Sequence, residues 1–177
     1  MRKHEEQMVH PELDKPTEVE KVLTVDALAK AISRPLELSY AGEIGASDSG
    51  HGVFFALDTQ DNTQAYAIKR FGNSQKAQRE IDLLHEAASR GLKTLQTVLD
   101  KPLAVSGVKG VDVVTRRIPS LGTMNSIAWS EYYAGQPSYE SEIVPVMKSI
   151  GQYIGNLHAN GMHHGDMQLK NIATIPS

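Results

Sequence analysis

The turns between residues 36 and 71 are too short to join anything but antiparallel strands. Residues 36–44, residues 53–57 and Ala65–Phe71 read as three successive strands, short and largely apolar. The last two are separated only by residues 58–64, of which Asp58-Thr59-Gln60-Asp61-Asn62-Thr63 is a run of turn-forming side chains. The first two are separated by Gly45-Ala46-Ser47-Asp48-Ser49-Gly50-His51-Gly52. A parallel pair needs a crossover of about a dozen residues or more, which neither connection provides. A small antiparallel sheet is therefore expected.

Helical periodicity takes over at once. Residues 74–90 place Ala77, Ile81, Leu84 and Ala88 on one face, with Ser74 as expected N-cap and Gly91 as helix stop. Residues 98–105 and 111–118 read as two more strands around Gly107 and Gly110. Residues 119–139 hold prolines, glycines and aromatics and read as a connector. Residues 141–160 form the strongest helix, with Ile143, Met147, Ile150, Ile154 and Leu157 at helical spacing and Asn160-Gly161 ending it. Pro145 is compatible with that helix only near its first turn. Ahead of the sheet, a short helix is expected over residues 25–32, capped by Thr24 and ended by Pro35. Residues 1–22 read as a mobile polar arm.

The resulting expectation is an α+β fold. Residues 23–118 make the small sheet domain. Residues 119–177 make a connector, a long helix and a polar loop. The length of 177 residues fits one ordinary domain. There is no cysteine, which excludes disulfides, thiolate metal sites and cysteine nucleophiles. A net charge of -3 argues against a mainly electrostatic nucleic-acid footprint. No apolar run reaches the roughly 18 residues of a spanning helix, and the charged N-terminus lacks the apolar core of a signal peptide. These features make the cytoplasm the default compartment and a membrane partner unexpected.

The chemistry concentrates in a few places. Asp166 and Asn171 stand five residues apart in the polar loop. Phosphoryl transfer needs a carboxylate to orient or deprotonate an acceptor hydroxyl, and an oxygen ligand for Mg²⁺ beside the phosphates. Lys69 closes a strand, where a lysine is ordinarily a solvated charge. Here it follows a glycine-rich turn and precedes a helix bearing Glu80 and Glu86. Glycines such as Gly45, Gly50 and Gly52 let a backbone approach phosphate closely, although a flexible hairpin would use them equally well. His158, His163 and His164 with Asp166 could form a metal cluster, but they meet no recognised metalloenzyme spacing.

The run Leu157-His158-Ala159-Asn160-Gly161-Met162-His163-His164-Gly165-Asp166, continuing to Asn171, resembles the catalytic loop of the protein-kinase-like superfamily. Gly165 in place of arginine is similar to the atypical branch of aminoglycoside and choline kinases and compact bacterial protein kinases. The resemblance implies ATP and Mg²⁺ as cofactors and a hydroxyl acceptor, protein Ser/Thr or small molecule. It implies Asp166 as catalytic base, Asn171 as metal ligand, and His164 as a residue that holds the loop. Ala67-Ile68-Lys69 resembles the strand whose lysine grips the α- and β-phosphates, and Gln78-Arg79-Glu80-Ile81 the helix whose glutamate pairs with it. Glu80 is favoured over Glu86 because it lies beside Ile81 and Leu84. Gly45, Gly50 and Gly52 would cradle phosphate, though their spacing departs from G-x-G-x-x-G. Ser47 and Ser49 could contact phosphate or accept it. Val53 and Ala67 would sandwich adenine. Residues 113–119 occupy the hinge position, where an ordinary core strand is an equal reading.

The resemblance spans roughly residues 36 to 175. The family's second metal-binding aspartate would follow Asn171, and the chain ends six residues past it with no carboxylate after Asp166. A truncated kinase is the expectation that follows, with apolar surface of the 141–160 helix left uncovered. The rival is a catalytically dead, kinase-derived module that binds nucleotide or a partner protein.

Overall fold

The structure, a computed structural model, describes residues 15–39, 52–117, 122–123, 144–163 and 173–174. Its elements are α1 (Glu18–Ile32), β1 (Leu36–Ser39), β2 (Val53–Asp58), β3 (Ala65–Phe71), α2 (Ser74–Ser89), β4 (Val111–Arg116), β5 (Gly122–Thr123), α3 (Val144–Ala159) and β6 (Ala173–Thr174). Strands β1 to β4 form one antiparallel sheet in sequence order, and β5 pairs with β6. The α+β expectation is met, as is the antiparallel sense of the sheet. No helix among the described residues is long and apolar enough to cross a membrane.

Alternation along the strands sorts the sheet into two faces. Phe54 and Ala56 of β2, Tyr66 and Ile68 of β3, and Val114 of β4 turn to one side. There they close over Val25 and Leu28 of α1, and Leu28 is wholly buried. On the other side Phe71 and Val113 pack against Ala77 and Ile81 of α2. The rest of this second face, Val53, Phe55, Ala65, Ala67 and Lys69, is only half-covered.

Several boundaries differ from the sequence expectation. Helix α1 starts at Glu18, inside the stretch expected to be an arm, and its N-cap is Thr17. Thr17 and Glu20 form a reciprocal capping box: the Thr17 N–H donates to Glu20 Oε2 at 2.8 Å and the Glu20 N–H to Thr17 Oγ1 at 3.3 Å. Thr24, expected as the cap, is instead a buried side chain within the helix. Helix α2 is capped by Asn73, whose Oδ1 accepts from the N–H groups of Gln75 and Lys76. Its buried C-terminal residue is Ala87, and Ala88 is exposed. Gly91 does end that helix, at a φ of 74°.

The strand expected over 98–105 is reduced to two isolated bridges, Thr97 with Thr115 and Leu103 with Asp112. Between them the outer segment advances six residues while β4 advances three, so a regular ladder cannot run through. Pro102, which has no N–H to donate, lies in the bulging stretch. Val98, Leu99 and Leu103 still pack on the core from there.

Helix α3 has Pro145 as its second residue, where a missing N–H costs nothing. Gly161, at a φ of 69°, follows its end. Among its apolar residues Leu157 is buried, while Val144 and Met147 are exposed. The helix is tied to the segment that follows α2. Tyr153 Oη donates to the Lys93 carbonyl at 3.0 Å, and Arg90 Nη1 donates to the Asn160 carbonyl.

Candidate functional site

Lys69 sits at the edge of the half-covered face because β3 alternates. Ile68 and Arg70 turn toward α1, so Lys69 must turn away from it. Its neighbour across the ladder is Val53, the first residue of β2, and Gly52 precedes that residue. Ala67, one step along the same face, pairs with Phe55 on one side and Thr115 on the other.

Helix α2 brings Glu80 to this point. Ala77 and Ile81 anchor the helix on Phe71 and Val113, and Glu80 lies one turn from Ala77 on the flank facing Lys69. Lys69 Nζ donates to Glu80 Oε1 at 2.9 Å. The ammonium also lies 4.9 Å from the centre of the Phe71 ring. Glu86, the alternative partner, is engaged elsewhere, by Arg90 one turn along α2. An ammonium has three donors and this pair uses one, so Lys69 retains capacity to bind a phosphate oxygen. The two side chains are 37% and 39% exposed, so the site is open to a ligand from solvent.

Val53, Ala67 and Lys69 thus share one face, with Glu80 beside the lysine. The stretch expected as the hinge is in its first part an ordinary buried strand, since Val113, Val114 and Thr115 belong to β4. Beyond β4, the Arg117 N–H donates to the Ala65 carbonyl at 2.8 Å, and its guanidinium stacks 4.6 Å from the Phe55 ring centre. Gly45, Gly50, Asp166 and Asn171 lie outside the described residues, as do Ser47, Ser49 and His164. Asn171 falls two residues before β6 in sequence, and β6 is paired to β5, which begins six residues after β4 ends. His158 and His163, at the end of α3 and just beyond it, have ring centres 5.1 Å apart.

Gly52 has a packing reason to be glycine that the sequence could not show. A Cβ there would collide with the Pro16 ring, lying 2.9 Å from Pro16 Cγ. Pro16 is buried and leads into α1.

The opposite face holds a polar cluster that sequence reasoning missed. Arg70 Nε and Nη2 donate to the two Asp112 carboxylate oxygens at 2.9 and 3.0 Å, in a bidentate pair with both residues buried. Nη2 also donates to Thr24 Oγ1 at 3.0 Å, and the Thr24 hydroxyl donates to Asp112 Oδ2 at 3.3 Å. Glu20 Oε1 approaches Arg70 Nη1 at 3.7 Å. The Glu20 carboxyl is held below its ordinary value first by the Thr17 backbone N–H, with help from the Thr17 hydroxyl and Arg70. A charged pair on the core side of a strand departs from simple alternation, and Asp112 within Val111-Asp112-Val113-Val114 was the available signal.

Among the described residues no group of three or more His, Cys, Asp or Glu side chains could hold a metal ion. Asn171, the expected Mg²⁺ ligand, lies outside them.

No curated protein matches the chain. The model of the lipopolysaccharide kinase (Kdo/WaaP) family matches residues 61–174, from the turn before β3 through β6. That match covers well over half the chain and includes β3 with Lys69, α2 with Glu80, and α3. The chain belongs to the lipopolysaccharide kinase (Kdo/WaaP) family, a family of protein-kinase-like kinases.

Proposed function

We propose that the protein transfers the γ-phosphoryl group of ATP to a hydroxyl group of a saccharide acceptor of the lipopolysaccharide type. The observation that carries the reading is the Lys69–Glu80 pair at 2.9 Å on the half-covered sheet face. Lys69 grips the α- and β-phosphates, and Glu80 fixes the ammonium over them. Val53 and Ala67, on the same face, cover the adenine. The acceptor class follows the family's name, since a sugar hydroxyl is what a lipopolysaccharide kinase phosphorylates.

Asp166 orients the acceptor hydroxyl and takes its proton as that oxygen bonds to the γ-phosphorus. The bond from the γ-phosphorus to the β–γ bridging oxygen breaks and ADP leaves. Mg²⁺, with Asn171 as a ligand, would neutralise charge on the phosphates. The proposed compartment is the cytoplasm, which supplies ATP as donor.

The test begins with binding. Mg-ATP raises the melting temperature of the wild type, because a ligand specific for the folded state stabilises it. Lys69→Ala abolishes that shift. Asp166→Ala keeps the shift and loses transfer of labelled phosphate to a saccharide acceptor. Absence of any shift in the wild type at millimolar Mg-ATP overturns the proposal. A shift without transfer to any hydroxyl acceptor supports a nucleotide-binding module instead.

A further inference from the structure

Helix α1 and the Pro16 that leads into it lie ahead of the residues that define the family match, yet together they touch the Lys69 end of the sheet at three points. Pro16 fills the space where a side chain at position 52 would be, at the residue just before β2. The Glu20 carboxylate lies near the Arg70 guanidinium and the Lys109 backbone. Thr24 completes the buried cluster with Arg70 and Asp112. These contacts run from Pro16 along one face of α1 and converge on Gly52 and the part of β3–β4 that carries Lys69 and Val113 on its other side.

We propose that α1 is a clamp on the nucleotide face: seating Pro16 on Gly52 and Thr24 on the Arg70–Asp112 pair holds the glycine-turn exit and Lys69 in place for ATP. The inference rests on the proposed function, and it makes Pro16 and Thr24 positioning residues. Two mechanical links support it. Arg70 adjoins Lys69, and its backbone N–H reaches the Gly52 carbonyl at 3.4 Å, so one residue couples the clamp to both sides of the phosphate end. Gly52 has no side chain of its own to limit its backbone, and the Pro16 ring packed over it does so from outside. Locking the Arg70 guanidinium fixes the roll of β3 about its axis, and the direction of Lys69 follows from that roll.

The experiment measures Mg-ATP affinity by calorimetric titration of the full chain, well below the unfolding midpoint of every variant. Thr24→Val keeps the shape and leaves the Arg70–Asp112 pair intact, but removes the hydroxyl that joins α1 to it. Pro16→Ala removes the ring from Gly52 without touching the buried cluster. Each weakens Mg-ATP binding about fivefold, the effect of roughly one lost hydrogen bond or its equivalent in position. Thr24→Ser, which keeps the hydroxyl, binds as the wild type does. If Thr24→Val fails to fold, Pro16→Ala and Thr24→Ser decide the matter. Wild-type affinity in the folded variants, even with lowered stability, overturns the clamp and leaves the kinase reading standing. No Mg-ATP binding by the wild type overturns the kinase reading and the clamp with it.

Discussion

Lys69 and Arg70 are consecutive residues of β3, and each makes an ion pair, but the pairs lie on opposite faces of the sheet. Arg70 and Asp112 are 2% and 1% exposed, bidentate and tied to Thr24, with no route for solvent or ligand. Lys69 and Glu80 are more than a third exposed, joined by one hydrogen bond, and border the half-covered stretch of sheet. Desolvation is costly for the first pair, and it persists because every partner is in place. The second pair is screened by water and adds little to folding. Burial therefore separates a pair that builds the sheet from one that can respond to a ligand, across the thickness of a single strand.

The largest effect tests the buried side. Asp112→Ala strips the buried Arg70 guanidinium of its bidentate partner and costs about 3–5 kcal/mol, read from urea unfolding. A cost near that of a surface substitution would break the contrast between the faces. Pairing Arg70→Met with Asp112→Leu sharpens it. Removing both charges together recovers most of the stability, although the Thr24 hydroxyl is then left without its two partners.

How much of this was legible follows the same division. The lysine strand, the following helix and the choice of Glu80 over Glu86 came from local order, because 11 residues separate Lys69 from Glu80 and a strand–helix unit spans them. Arg70 and Asp112 are 42 residues apart and come from strands joined through a helix and an irregular segment. No periodicity announces such a pair. Thr17-Glu18-Val19-Glu20 is a capping-box pattern and was enough to start α1 at Glu18. The polar character of the first 22 residues hid it, since the outer positions Val19, Val22 and Leu23 are exposed and give the helix no clear stripe. Residues 98–105 have a strand's apolar content, but the interval around Pro102 bulges and only its ends bridge to β4. Asp166 and Asn171, which the proposed function makes catalytic base and metal ligand, lie outside the described residues.

The exposed side gives a smaller effect on folding. Glu80→Gln changes stability by less than about 1 kcal/mol, because water already screens the pair. The same substitution weakens Mg-ATP binding, since Lys69 loses the charge that holds it. A large stability loss with unchanged nucleotide affinity would reverse the assignments of the two faces.

The smallest effect concerns the point where α1 meets the buried cluster. The Glu20 carboxyl is held below its ordinary 4.5 by the Thr17 backbone and hydroxyl and by Arg70. A carboxyl lowered in the folded state stabilises that state fully above the unfolded pKa and loses the contribution as pH falls through the folded pKa. Glu20→Gln keeps the amide geometry of a capping box but cannot ionise. The wild type is therefore more stable than Glu20→Gln at neutral pH, by on the order of 0.5 kcal/mol. That difference shrinks as the pH drops below 4.5. A difference independent of pH would mean that the carboxylate acts at the cap by shape alone, and that its charge contributes nothing to holding α1 against Arg70.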